Sequence, residues 1–186
     1  MDLLYDRNVP KKSDKSYGKL AVQQRMRLAM AFLNPLRPVI AESWLSRGRG
    51  SKKKAFGQAL KKLMQDALEG DYPDQHVIPD RVDISMGILP GLLVREAVHS
   101  EQTLEVYFSS KDTPLARATD EVVLVVYNPG RGVAARNTHV CNRNEGYIKV
   151  DLPPQLWSAP FHVYLFAHSA SKKQYSKNVY IGQLGP

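Results

Sequence analysis

The sequence predicts an α+β chain: N-terminal helices packed on a C-terminal antiparallel β-sandwich, immunoglobulin-like or fibronectin-like. Three observations predict it. Apolar residues recur at helical spacing as far as Gly70. From Val77 onward they recur at period two, in short segments cut by Gly and Pro with no helix between them. One of those segments, Glu121 to Tyr127 (EVVLVVY), is apolar on both faces and needs cover on each side.

The chain divides into a basic arm (1–16), a helical region (17–75) and a sandwich (76–186). Pro10, Lys11, Lys12, Ser13, Asp14, Lys15 and Ser16 supply no core. A first helix is expected from near Tyr17 or Lys19, with Val22, Met26, Met30 and Leu33 as its apolar stripe and Ala29 beside them. Methionines on this face read as core filler. Pro35 and Pro38 interrupt the pattern, while Leu36, Ile40, Trp44 and Leu45 continue it, so a kinked or restarted helix follows. Arg47 to Gly50 is a basic connector. Ser51 to Gly70 then gives the clearest helix: Phe56, Leu60, Leu63, Met64 and Ala67 share one face, Ser51 supplies the N-cap and Gly70 the C′ residue. That stripe is expected to help cover the doubly apolar strand.

Strands are expected around Val82–Met86, Leu92–Val98, Leu104–Phe108, Glu121–Tyr127, Val133–Cys141, Tyr147–Leu152, Phe161–Ala167 and Asn178–Ile181. Asn128-Pro129-Gly130 and the run SASKKQYSK are turns. Val122, Leu124 and Val126 face the sandwich core, and Val123, Val125 and Tyr127 face outward, where the helices are expected to pack. The Cys…Trp…Cys signature of true immunoglobulin domains is absent.

Four segments in order resemble an uncharacterised Bacteroidetes family of unknown function, over about Val9 to Gly182. They are NVPKKS before a Gln-rich helix; FLNPLRPVI; KKAFGQALKKLMQDALEGDYPD followed by RVDISMG; and EVVLVVYNP with FHVYLFAHSASKKQYSKNVYIG. The resemblance implies no activity and transfers no catalytic residue. It also implies that most of a longer Gly- and Trp-containing lead is missing here.

Composition excludes several classes. Hydrophobic residues make up 43% and charged residues 24%, which is globular rather than disordered usage. No apolar run approaches the ~20 residues of a membrane-spanning helix. The stretch MDLLYDRNVPKKSDK has no apolar segment of a secretory signal. Cys141 is the sole cysteine, so neither an intrachain disulfide nor a cysteine metal cluster forms, and the cytoplasm is the expected compartment. No HExxH, Walker A or GxGxxG pattern occurs among His76, His99, His139, His162, His168 and the glycines. His162 and His168 share a strand face about 20 Å apart, too far to ligate one metal. Asp71, Asp74, Asp80 and Asp83 read as turn and capping residues. No enzyme, cofactor or metal site is therefore expected.

Charge gives the one positive lead. Residues 1–70 hold 15 Lys+Arg against 6 Asp+Glu, a net +9, while residues 71–186 hold 11 against 12. Lys11, Lys12, Arg47, Arg49, Lys52, Lys53, Lys54, Lys61 and Lys62 form the candidate anion- or partner-binding set. Lys52 to Lys54 occupy a first helical turn, where the dipole disfavours cations by about 0.3–1 kcal/mol each, so helix stability does not explain them. Free N–H groups at that end would favour an anion. The expected function is a non-enzymatic structural or interaction protein that binds a protein partner or itself. The alternative is a nucleic-acid-binding protein contacting phosphates through the basic region.

Overall fold

The computed structural model describes residues 12–44, 52–110 and 113–185. Helix α1 (Lys12–Leu33) begins before Tyr17, so residues 12–16 are helical rather than part of an arm. A 3₁₀ turn (Asn34–Leu36) and helix α2 (Arg37–Ser43) follow, carrying Pro35 and Pro38 in their first turns. Proline is tolerated there because first-turn N–H groups have no helical acceptor. The helix thus stops and restarts.

Helix α3 (Lys52–Asp66) stops short of Gly70. The Ile78 amide donates to Ala67 O at 2.8 Å, drawing the chain into a hairpin of β1 (Leu68–Glu69) and β2 (His76–Val77). Gly70 sits in that hairpin's turn and not at a helix C′ position. Its φ is +83°, and an added Cβ would lie 2.6 Å from Asp74 O, so only glycine fits. Ala55, Phe56, Ala59, Leu63 and Ala67 are the buried stripe of α3, which packs on α1 and α2. Arg25 ties α1 to the C-terminal turn of α3 by donating to Met64 O at 2.8 Å, a carbonyl with no helical donor. The Arg37 guanidinium lies 4.2 Å from the centre of the Phe56 ring, a contact worth about 0.5–1 kcal/mol.

The remaining strands are β3 (Leu92–His99), β4 (Thr103–Ser110), β5 (Glu121–Asn128), β6 (Val133–Arg136), β7 (Tyr147–Asp151), β8 (Phe161–His168) and β9 (Val179–Leu184). They form two antiparallel sheets, ordered β3-β4-β7 and β6-β5-β8-β9. Together with the β1–β2 hairpin, the described residues are α+β. One apolar cluster draws on both large sheets: Leu104, Val106, Phe108, Ile148 and Val150 from one, Val122, Leu124, Val126, Phe161, Val163 and Leu165 from the other.

The opposite faces of β5 and β8 are equally apolar. Val123, Val125, Tyr127, Tyr164 and Phe166 form a second cluster with Phe32, Leu33, Leu36, Ile40 and the stripe of α3. The helices cover the outer sheet face, as the sequence predicts. One direct contact comes from the end of α1: Tyr127 is fully buried, its ring is edge-on to Phe32 at 5.1 Å, and its hydroxyl donates to Phe32 O at 2.7 Å. That carbonyl lies in the last turn of α1, where helix acceptors lack donors. Burial pushes the Tyr127 hydroxyl well above its ordinary pKa, so it remains a donor.

Residues 82–86 are the clearest departure from expectation. Val82, Ile84 and Met86 alternate with Asp83 and Ser85 as a half-exposed strand would, yet all five are buried and none joins a sheet. Side chains replace the ladder. Asn178 Oδ1 accepts from the amides of Ile84 (2.8 Å) and Ser85 (3.0 Å), and its Nδ2 donates to Val82 O (3.1 Å). Ser85 Oγ donates to Ser176 O at 2.7 Å. Ser43 Oγ, on α2, shares its proton between Val39 O and Ile84 O. Asp83, expected in a turn, is buried with a carboxylate oxygen 3.1 Å from Lys177 Nζ and the other 3.4 Å from Lys62 Nζ. The segment is thereby wedged between the helices and the start of β9.

Two predictions follow from this packing. Replacing Asn178 with Ala leaves two buried amides and a buried carbonyl without partners, each costing about 1–3 kcal/mol. Urea unfolding of N178A should show an unfolding free energy lowered by at least ~2 kcal/mol, read as a lower midpoint at an unchanged slope. His162 is buried on the outer face of β8, with Nδ1 3.0 Å from the Tyr180 hydroxyl, and burial lowers its pKa. The unfolded chain therefore takes up this proton more readily than the folded one. The contribution is fully present above the unfolded value of about 6.5 and is lost as pH falls through it. His162→Gln should flatten the decline in unfolding free energy between about pH 7.5 and 5.5.

Candidate functional site

The basic set divides once its residues are placed. Lys11, Arg47 and Arg49 lie outside the described residues. Lys12 lies in α1 and Lys52 and Lys53 in α3, with side chains outside the description. Lys54 and Lys61 are exposed two turns apart on α3. Lys62 has a structural role instead: Asp66 and the buried Asp83 hold its ammonium. The hydrogen bond it donates to Asp66, ahead of the charge of Asp83, raises its pKa despite some burial.

The second surface is the N-terminal half of α1. Val22 and Met26, expected in the core, are 61% and 43% exposed one turn apart on one side of the helix, while Tyr17 at 52% and Leu20 at 45% lie on the other side. The stripe that Val22 and Met26 begin becomes buried only at Ala29 and Leu33. The opposite side of this half-helix is anchored: Gln24 Nε2 donates to Pro73 O at 2.6 Å, and Tyr17 donates to Tyr72 O with the two rings edge-on at 5.1 Å. The helix is held in place with its apolar stripe outward.

The third feature is a cleft of about 160 Å³ at the seam between α2 and the β6-β5-β8-β9 sheet. Its floor is Val39, Val123, Phe166 and Tyr175. One wall is the chain after β6, pinned to β5 by a side chain: Asn137 Oδ1 accepts from Leu124 N at 2.9 Å while Asn137 Nδ2 donates to His139 O at 2.8 Å. The other wall is the turn after β8, closed by Lys172 N donating to Ser169 O at 2.7 Å. Lys172 there takes φ +54°, a left-handed conformation uncommon outside glycine.

Charges of both signs line this cleft. Arg136 spans its edge to Glu42 of α2 at 3.0 Å, with both side chains about half exposed. Glu121 and His168 are register partners at the adjoining ends of β5 and β8. His168 is 6% exposed. Its Nδ1 lies 2.9 Å from Ser169 O, which can only accept, so Nδ1 carries a proton. Its Nε2 lies 3.6 Å from Glu121 Oε2, beyond hydrogen-bond reach. The Tyr175 hydroxyl is raised in pKa first by burial and then by Glu42, with Arg136 opposing and Glu121 adding. One hydroxyl thus sits within the field of all three charges.

Sequence reading did not assemble this cleft. The available signal was the pairing of two doubly apolar strands: setting EVVLVVYN against FHVYLFAH end to end places Glu121 opposite His168. Arg136 and Glu42 are distant in sequence and carried no signal. Of the other histidines, His162 pairs with Tyr180, His99 packs edge-on to Phe161 at 5.2 Å, and His76 reaches Asp74 O at 3.2 Å. Among the described residues, no group of three His, Cys, Asp or Glu side chains is arranged to hold a metal. Burial, aided by the Glu145 charge, pushes the Cys141 thiol up to about 12, so it is not a nucleophile.

No helix among the described residues is long and apolar enough to cross a membrane. No curated protein matches the chain. A family model described as a family of unknown function (DUF6266) matches residues 2–182, nearly the whole length. The helical region, the seam cleft and the paired sheets, apart from the last two residues of β9, fall within that match, and the chain belongs to this family.

Proposed function

We propose that this protein is a non-enzymatic interaction module that self-associates through the exposed stripe of α1. The single observation carrying this reading is that Val22 and Met26, one turn apart, stay exposed on a helix whose other side is anchored through Tyr17 and Gln24. Large apolar side chains left adjacent on a surface mark an interaction site. A second copy is the favoured partner, because two stripes laid antiparallel about a two-fold axis bury each other by the same contacts. Two such side chains and their neighbours cover less than the ~800 Å² per partner of a stable complex, so a weak, concentration-dependent dimer is expected.

The fold supports a scaffold of immunoglobulin-like or fibronectin-like kind: three strands ordered β3-β4-β7 share a core with four ordered β6-β5-β8-β9. The non-enzymatic part rests on the absence of any catalytic motif in the sequence. The Bacteroidetes affiliation and a cytoplasmic location belong to the same reading; the second is supported by the lone, buried Cys141 thiol.

Light scattering across a concentration series tests it. The apparent mass should rise from 20.9 kDa toward twice that value, and Val22→Glu with Met26→Glu should hold it at the monomer. A monomer at every concentration would overturn self-association. The exposed pair Lys54 and Lys61 favours a second reading, phosphate binding on nucleic acid. If about five phosphates are neutralised, log K for duplex DNA should fall with log salt at a slope near −4.5, and no binding at low salt would remove this reading.

A further inference from the structure

We propose that the seam cleft is a binding site for a small zwitterion of dipeptide size, with its ammonium at Glu121 and its carboxylate at Arg136. Charge balance points to this class. Arg136 and Lys172 face Glu42 and Glu121, so the fixed charges cancel, and an ion of one sign gains little where a molecule carrying both gains twice.

Each end has a group able to accept a new partner. Glu121 faces the buried His168 at 3.6 Å without a hydrogen bond, so an ammonium there completes an unfinished polar contact. Among the described residues, the Arg136 guanidinium is bound to Glu42 in a half-exposed ion pair. Such pairs contribute little, so exchanging Glu42 for a ligand carboxylate is inexpensive, and the guanidinium fork suits a carboxylate.

Size excludes much else. Glu121 and the residue paired with Arg136, Val125, are four positions apart on β5, about 13 Å of strand. Side chains leaning inward from both ends would bring the two charges within a dipeptide's reach. The volume of about 160 Å³ is close to that of a cavity that holds one benzene ring, so the cleft takes one small side chain while the peptide backbone lies across its opening. The floor of Val39, Val123 and Phe166 accepts a small apolar side chain. Both walls are already held, by the Asn137 amide and by the turn around Ser169, so little ordering is needed on binding.

Amide NMR titration of the full chain with glycyl-valine tests the proposal. Saturable shifts are expected at Asn137, His168 and Lys172 at millimolar concentration. N-acetyl-glycyl-valine and glycyl-valine amide should each bind at least ~10-fold more weakly, since each loses one charged contact. Glu121→Gln should weaken binding of the free dipeptide by a similar factor and erase the penalty of acetylation; Arg136→Gln should erase the penalty of amidation. No saturable shift at about 10 mM would overturn the site. So would capped peptides that bind as well as the free one, a comparison made on the unaltered protein and independent of whether the variants fold.

Discussion

The constraint on which this structure depends is the pairing of two strands that are apolar on both faces. Every residue of β8 is buried, as is every residue of β5 after Glu121. A sheet in water normally leaves one side polar. Here Val123, Val125, Tyr127, Tyr164 and Phe166 would face solvent if the helices were removed. Burying side chains of this size contributes about 1.5–3 kcal/mol each, so the helical region is a required layer rather than an appendage. The two tyrosines bring a polar end into that layer, and each finds an acceptor on the covering chain. Tyr127 reaches Phe32 O and Tyr164 reaches Pro79 O at 2.9 Å. Apolar area drives the layers together, and these two hydroxyls set where the covering chain can lie.

That constraint was legible in the sequence because it is local. Strand EVVLVVY shows its two apolar faces in seven consecutive letters, and most strands announce themselves by alternation and by Gly or Pro punctuation. Residues 82–86 show the limit of such reading. Their alternation is real, but their hydrogen bonds go to Asn178 and Ser43, far away in sequence. Period two reports an extended backbone; it does not report whether a strand or an amide side chain lies alongside. Gly70 shows the same limit at a helix end, where a glycine after an apolar stripe fits both a C′ residue and a hairpin turn. In α1 the periodicity of Val22, Met26, Ala29 and Leu33 is continuous, while the burial ends midway. A pattern specifies a face, but the length of that face which finds cover depends on the size of the body beneath.

Charge was legible only as a sum. The excess of positive charge before residue 71 is a property of composition, and Lys61 and Lys62 look equivalent as letters. In the fold they are opposites, since Lys62 turns toward Asp83 and Lys61 toward solvent. Asp83 is the cause. A carboxylate buried to this degree requires partners, and it finds them in Lys62 and Lys177 from two separate elements. A lysine-rich helix face therefore reads as a binding surface only after the buried acids of the same chain have taken their share.

The seam cleft lies where these constraints meet. Glu42 and Ser43 are consecutive on α2, yet they serve different parts of the molecule. Ser43 turns inward to Ile84 O, and Glu42 reaches outward to Arg136. Whatever fixes α2 on the sheet thus fixes one charged edge of the cleft. The other charged edge, Glu121 and His168, is set by the register of β5 on β8. The cleft consequently has its geometry only when helices and sheet are docked, and the core contacts that dock them are also what positions its charges. The helical region and the sheets are in this sense one functional unit, although their sequences follow different periodicities.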